Sequence, residues 1–198
     1  MADLLFISPN ERGAPRTLAP VSQAVKPSVP TRHSVTDLHH HAATRTAIDH
    51  YLRYADCTLY LGHGRPNSLG ASTSNPLIDN NNLTGNQILV ALACHAGAML
   101  APSVFTTAAT GVFVGFTTVM IHPRRQYGRA NTAYENALAT FLTGGTAIGL
   151  HTDLITEMNM AAMDYLAQPR TSNTLFAFAA LRANTVALTI VGDGSRTI

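Results

Sequence analysis

The 198-residue sequence predicts an α/β fold: a three-layer α/β/α sandwich with a mainly parallel central sheet. Three observations carry this. Two short apolar runs, Thr58–Gly62 and Ile88–Ala93, lack helical spacing and stop at glycine-bearing turns, as strands buried on both faces do. Stretches of helical character alternate with such runs along the chain, which is the pattern of parallel strands joined by crossover helices. Charged residues make up only 12% and hydrophobic ones 46%, which suits a sheet covered on both sides better than an extended, solvated chain.

Taken in order, Leu4–Ser8 is a first strand, closed by the turn-forming cluster Pro9-Asn10-Glu11-Arg12-Gly13. Residues 14–31 contain Pro15, Pro20, Pro27 and Pro30 and read as a proline-rich loop, because proline breaks a helix interior. A helix is expected from Thr36 to Tyr54, with Thr36 as cap and Arg45, Asp49 and Arg53 as an i, i+4 ladder. Strand Cys57–Leu61 leads to His63, and residues 65–87, rich in glycine, serine and asparagine, form a loop beside the next strand's end. After Cys94 a helix over Ala98–Ala109 is expected, starting close to the cysteine, and then a strand over Gly111–Ile121. The basic run of residues 122–129 is a loop. Helices follow over Ala130–Thr143, Thr152–Leu166 and Thr174–Arg182, with Gly144-Gly145 as a break, and Thr185–Val191 is a final strand rich in β-branched residues.

At this length one domain over residues 1–198 is the simplest organisation, with a core that needs no metal or disulfide staple. A net charge of +2 with a single lysine, Lys26, is too mild for a nucleic-acid partner. No apolar run reaches the ~18 residues of a membrane span, and two cysteines form no disulfide framework. These features place the chain in the cytoplasm, off the membrane.

The chemistry concentrates where the two apolar runs end. If those strands are parallel neighbours, His63 and Cys94 emerge at the same carboxyl edge, where open α/β sheets hold their sites. A thiol attacks as thiolate, from an unperturbed pKa of ~8.5 that a neighbouring imidazole or a helix amino terminus lowers. The backbone N–H groups of Gly64 and Cys94 could form an oxyanion hole, so acyl transfer is the reaction this arrangement suits. His95 is the rival base, yet consecutive side chains diverge at a strand end and His95 is expected to support the loop or face the core. Cys57 is read as packing. The His39-His40-His41 run, spread about 100° per residue on a helix, does not converge on one ion. No metal and no cofactor are expected.

The runs Leu61-Gly62-His63-Gly64 and Ala93-Cys94-His95-Ala96-Gly97, each after an apolar strand, resemble the His-Gly and Cys blocks of the caspase-like cysteine peptidases, a group that includes caspases, metacaspases and bacterial CHAT domains. The likeness covers about residues 55–145. It implies a caspase-like sandwich, a catalytic His63–Cys94 dyad, an oxyanion site at the N–H groups of Gly64 and Cys94, and a protein or peptide substrate laid extended along Phe116, Thr117 and Thr118 by strand addition. It also implies activation by a protein partner, by self-cleavage or by homo-oligomerisation, and fits bacterial signalling or defence. The chain departs from the pattern in two ways. The His-to-Cys separation is 31 positions, shorter than the ~50 of caspases, and Leu92 stands where metacaspases carry an aspartate that binds a basic side chain. Glu11 or Asp79 could replace that acid, whereas Arg12 or Arg65 would favour an acidic substrate residue. The alternatives are a catalytically inactive caspase-like scaffold or regulatory subunit and, more remotely, a hydrolase or nucleotide-binding domain, although no Gly-x-x-x-x-Gly-Lys loop is present.

Overall fold

A computed structural model describes residues 1–9, 14–72, 74–106, 110–123 and 127–198, with the side chains of 14–16 excepted. Six strands form the central sheet: β1 (Asp3–Pro9), β2 (Ser34–His40), β3 (Cys57–Leu61), β7 (Ile88–Leu92), β8 (Val112–Phe116) and β9 (Leu188–Gly192). Their order is β2-β1-β3-β7-β8-β9, parallel throughout except for β9, which runs antiparallel to β8. A small antiparallel sheet of β4 (Gly64–Arg65), β5 (Ser68–Leu69) and β6 (Ile78–Asp79) stands beside it.

The two-residue alternation of the strands sorts the core into two faces. Leu4 and Phe6, Leu59 and Leu61, Val90 and Leu92, and Val114 and Phe116 point one way. They meet α1 (Ala14–Val25), α4 (Tyr127–Leu142), α5 (Ala147–Leu166) and α6 (Ser172–Ala187). Leu5, Ile7, Tyr60, Leu89, Ala91 and Phe113 point the other way, onto α2 (Arg45–Leu52), α3 (Leu100–Val104) and the β5–β6 hairpin. Each fully buried Leu, Ile or Phe contributes about 1.5–3 kcal/mol, so sealing both faces is what holds the sheet. The α/β/α architecture is thus the expected one.

Several expected elements are corrected. Most of the loop expected over residues 14–31 is helical: α1 forms because Leu18, Val21 and Val25 fall at i, i+3 and i+7 and are buried. Pro20 is tolerated on the exposed side of that helix. The helix expected from Thr36 divides in two. Ser34–His40 pairs along its whole length with β1, and its β-branched Val35 and Thr36 favour that pleat. His40 then turns the chain with φ 51°, and Thr44, not Thr36, caps α2 by accepting from the Ala47 N–H at 3.2 Å. The His39–His41 run therefore lies at a strand end. Strand β8 stops at Phe116, where the ladder to β9 ends. The helix after Cys94 has five residues and starts only at Leu100, and the basic residues Arg124 and Arg125 lie outside the described residues.

Candidate active site

Strands β3 and β7 are parallel neighbours in the register Leu61↔Leu92. His63 and Cys94 each follow two residues after that pair, so both leave the sheet at its carboxyl rim. Between them the backbones nearly touch: a Cβ on Gly64 would lie 2.1 Å from the carbonyl oxygen of Cys94 and 3.0 Å from Cβ of Ala93. Only glycine permits this approach.

His63 is half-buried. Its carbonyl accepts the Gly70 N–H at 2.8 Å and the Tyr60 hydroxyl at 3.0 Å. Gly64 pairs with Leu69 across the β4–β5 hairpin. Because the Gly70-to-His63 bond brackets that pair, Gly64 occupies a position whose own N–H and C=O point away from β5. That N–H is not consumed by the ladder. His63, Gly64, Arg65, Gly70 and Ala71 line an open cleft of about 280 Å³.

Cys94 is half-buried and packs against the core face that α1 and α4–α6 cover. Its thiol donates to the Met120 carbonyl at 3.7 Å. Burial pushes this thiol above its ordinary value, and backbone contacts with Met120 and with Cys94 itself bring it only partly back. The expected help from a following helix is not supplied. Five short residues starting at Leu100 are too few and too distant to bring a helix dipole to the sulfur. His95 sits in the left-handed region at φ 61°, a conformation that costs a non-glycine residue energy and marks a constrained turn. Its N–H donates to the Thr118 carbonyl at 2.8 Å, and the Gly97 N–H donates to the Phe116 carbonyl at 2.9 Å. The cysteine turn is thereby strapped to the segment beyond β8.

That segment is the proposed peptide platform. Thr118 is exposed and Thr117 half-buried, with the Thr117 N–H and hydroxyl both donating to the Ala187 carbonyl, at 2.8 and 3.1 Å. Phe116 is 0% exposed, so its side chain belongs to the core and cannot face a peptide. Glu11 and Arg12 lie outside the described residues. The carboxylate of Asp79 is engaged by Arg45, with 3.2 Å contacts at both oxygens. Burial would raise the Asp79 carboxyl, but hydrogen bonds from Arg45 and Asn81 outweigh it and hold the carboxyl below the usual range. Arg45 also binds the Pro76 carbonyl at 2.9 Å and Asp49 at 3.0 Å, so Asp79 helps to fasten residues 76–82 to α2.

Sequence reasoning missed the supports of this rim. Asn184 of α6, fully buried, clamps the backbone of Ile121: its Oδ1 accepts the Ile121 N–H and its Nδ2 donates to the Ile121 carbonyl, both at 2.8 Å. Buried His122 follows, with ring nitrogens 2.9 Å from the Thr17 hydroxyl and 2.9 Å from Asn131 Oδ1, and Asn131 Nδ2 donates to the Thr17 carbonyl. The available signal was asparagine at positions that helical periodicity sends to the core. Cys57 is buried, as packing requires, and burial with the nearby Asp56 charge pushes its thiol up to about 12. Among the described residues, no three His, Cys, Asp or Glu side chains gather as metal ligands, and no helix is long and apolar enough to cross a membrane.

No family model matches the chain, and a search of curated proteins finds no match. Among solved structures, caspase-1 from Spodoptera frugiperda superposes with a TM-score of 0.54 at 13% identity, covering 96% of this chain and 85% of that one. The chain has a caspase-like α/β/α fold.

Proposed function

We propose that this chain is a caspase-like cysteine endopeptidase in which His63 and Cys94 act as the catalytic pair. The observation that carries the reading is the in-register pairing of β3 and β7, which brings Gly64 against the Cys94 carbonyl at the carboxyl rim. Leu61, Leu92 and Cys94 pack on one core face, and His63 leaves the neighbouring strand two residues after Leu61, at the same rim.

In this mechanism the Cys94 sulfur attacks the scissile carbonyl carbon. The carbon–nitrogen bond breaks, and the thiol proton passes through the His63 imidazole to the leaving amine. Water then attacks the thioester, the carbon–sulfur bond breaks, and the proton returns to sulfur. The N–H groups of Gly64 and Cys94 receive the oxyanion, and the substrate lies extended against Thr117 and Thr118. Burial pushes the Cys94 thiol above its ordinary value, and in this mechanism His63 takes the proton during attack. Activation falls to a protein partner, self-cleavage or assembly, in bacterial signalling or defence. Both cysteines are free thiols, which suits the cytoplasm.

A second reading, an inactive caspase-like scaffold, draws on one observation: the thiol donates to the Met120 carbonyl and its pKa is raised. Cleavage of a mixed peptide library, with and without the products of neighbouring genes, separates the two. The enzyme predicts cuts that vanish in Cys94→Ala and slow about 10²–10⁴-fold in His63→Ala. A wild type that cuts nothing and whose Cys94 resists iodoacetamide leaves only the scaffold.

A further inference from the structure

The cleft beside His63 holds a cation that the proposed reaction does not use. Arg65 lies two residues beyond His63 on β4, half-buried, and its Nη2 donates to the Ala71 carbonyl at 2.8 Å across the hairpin. Among the described residues its Nε is buried without a partner. Among the described residues no carboxylate pairs with this guanidinium, whereas Arg45 pairs with Asp49 and Asp79 and Arg129 with Asp164. The other wall residues, His63, Gly64, Gly70 and Ala71, supply no negative charge. Two of these four are glycines and one is alanine, so the space beside the guanidinium is left open.

A partly desolvated arginine without a counter-charge is a recognition group for carboxylate. At about 280 Å³ the cleft falls just below the roughly 300–1,000 Å³ typical of small-molecule pockets, so it suits one or two amino-acid side chains. Its side of the scissile bond follows from the chemistry. The acyl half of the substrate becomes bonded to the Cys94 sulfur, while the imidazole must lie within hydrogen-bond reach of the departing nitrogen. A cleft that contains His63 in its wall and extends away along β4 therefore receives the leaving half.

We infer that this cleft, through Arg65, selects an aspartate or glutamate on the carboxyl-terminal side of the cut, in the first or second residue after the scissile bond. This inference rests on the endopeptidase reading given above. Specificity of this kind requires only that the carboxylate accept from the guanidinium. The hairpin pairing Arg65↔Ser68 and the Ala71 contact hold the guanidinium in place before substrate arrives.

The test is to digest a mixed peptide library with the full chain, sequence the new amino termini by mass spectrometry, and repeat with Arg65→Gln and Arg65→Lys. Wild type is expected to enrich Asp and Glu at the first or second position of the new termini. Arg65→Gln should lower the ratio of acidic to neutral cuts about tenfold to a hundredfold, the range of one charge-assisted hydrogen bond, and Arg65→Lys should restore part of it. A ratio is used because it does not depend on the fraction of protein folded. Cys94-dependent cuts without acidic enrichment, or enrichment that survives in Arg65→Gln, overturn the inference and leave the peptidase standing. Absence of any Cys94-dependent terminus overturns both.

Discussion

Replacing Gly64 with alanine isolates the feature on which the site depends. The added Cβ would stand 2.1 Å from the Cys94 carbonyl oxygen, whereas real Cβ atoms essentially never approach closer than 3.0 Å. The backbone oxygen or the hairpin must therefore retreat by about 0.9 Å, and neither is the far end of a flexible side chain that could swing aside. Overpacking of this kind costs about 1–3 kcal/mol, a sizeable share of the roughly 5–15 kcal/mol that holds a domain folded. Displacing catalytic groups by about 1 Å costs on the order of 10²-fold in rate. Gly128→Ala is the control: nothing lies within 4 Å of a Cβ at that helical position, so it should be neutral or stabilising by up to about 1 kcal/mol. Urea denaturation of both variants gives the stability change, and Cys94-dependent peptide cleavage gives the functional one. A Gly64→Ala protein as stable and as active as Gly128→Ala would refute the claim that the two strand ends are in contact.

Asn184→Leu removes the clamp on Ile121 and leaves buried backbone groups unpaired. A loss of about 1–3 kcal/mol is expected in a urea melt, together with faster hydrogen exchange at Ile121. Asn131→Leu should cost a similar amount by stranding His122 and the Thr17 carbonyl. Alkaline stability should depend on Cys57, whose thiol holds its proton to about 12 in the folded chain but to about 8.5 when unfolded. Between those values the unfolded chain binds fewer protons, so stability falls as pH rises. The fall in urea midpoint from pH 8 to 11 should be shallower in Cys57→Ala. Arg45→Ala should expose residues 76–82 to limited proteolysis. It should also flatten the acid limb of stability, because the depressed Asp79 carboxyl stabilises the fold above the ordinary carboxylate range and ceases to do so as pH falls.

The legible parts of the sequence were those whose burial is two-sided. Strands β3 and β7 are buried at every position, and such runs announce themselves as continuous apolar segments closed by glycine. Strand β2 is an edge strand with a single buried residue, Leu38, so its polar letters were read as the start of the helix that follows. In α1 the prolines hid an amphipathic stripe, because one proline on an exposed face removes a hydrogen bond without disturbing the buried side. The placement of His63 and Cys94 on one rim could be argued from matching strand ends. The partners of that rim could not: Met120 contributes a carbonyl, which every residue has, and Asn184 acts on Ile121 across 63 positions, a distance at which no local pattern survives.

That long-range clamp has a consequence for biosynthesis. The segment beside Cys94 is fixed by an amide near the far end of α6, and β8 receives its outer neighbour only when residues 188–192 arrive. Chains emerge amino terminus first and fold as their partners appear. A nascent chain therefore carries His63 and Cys94 out of the ribosome long before the segment packed beside them at the rim has been fixed.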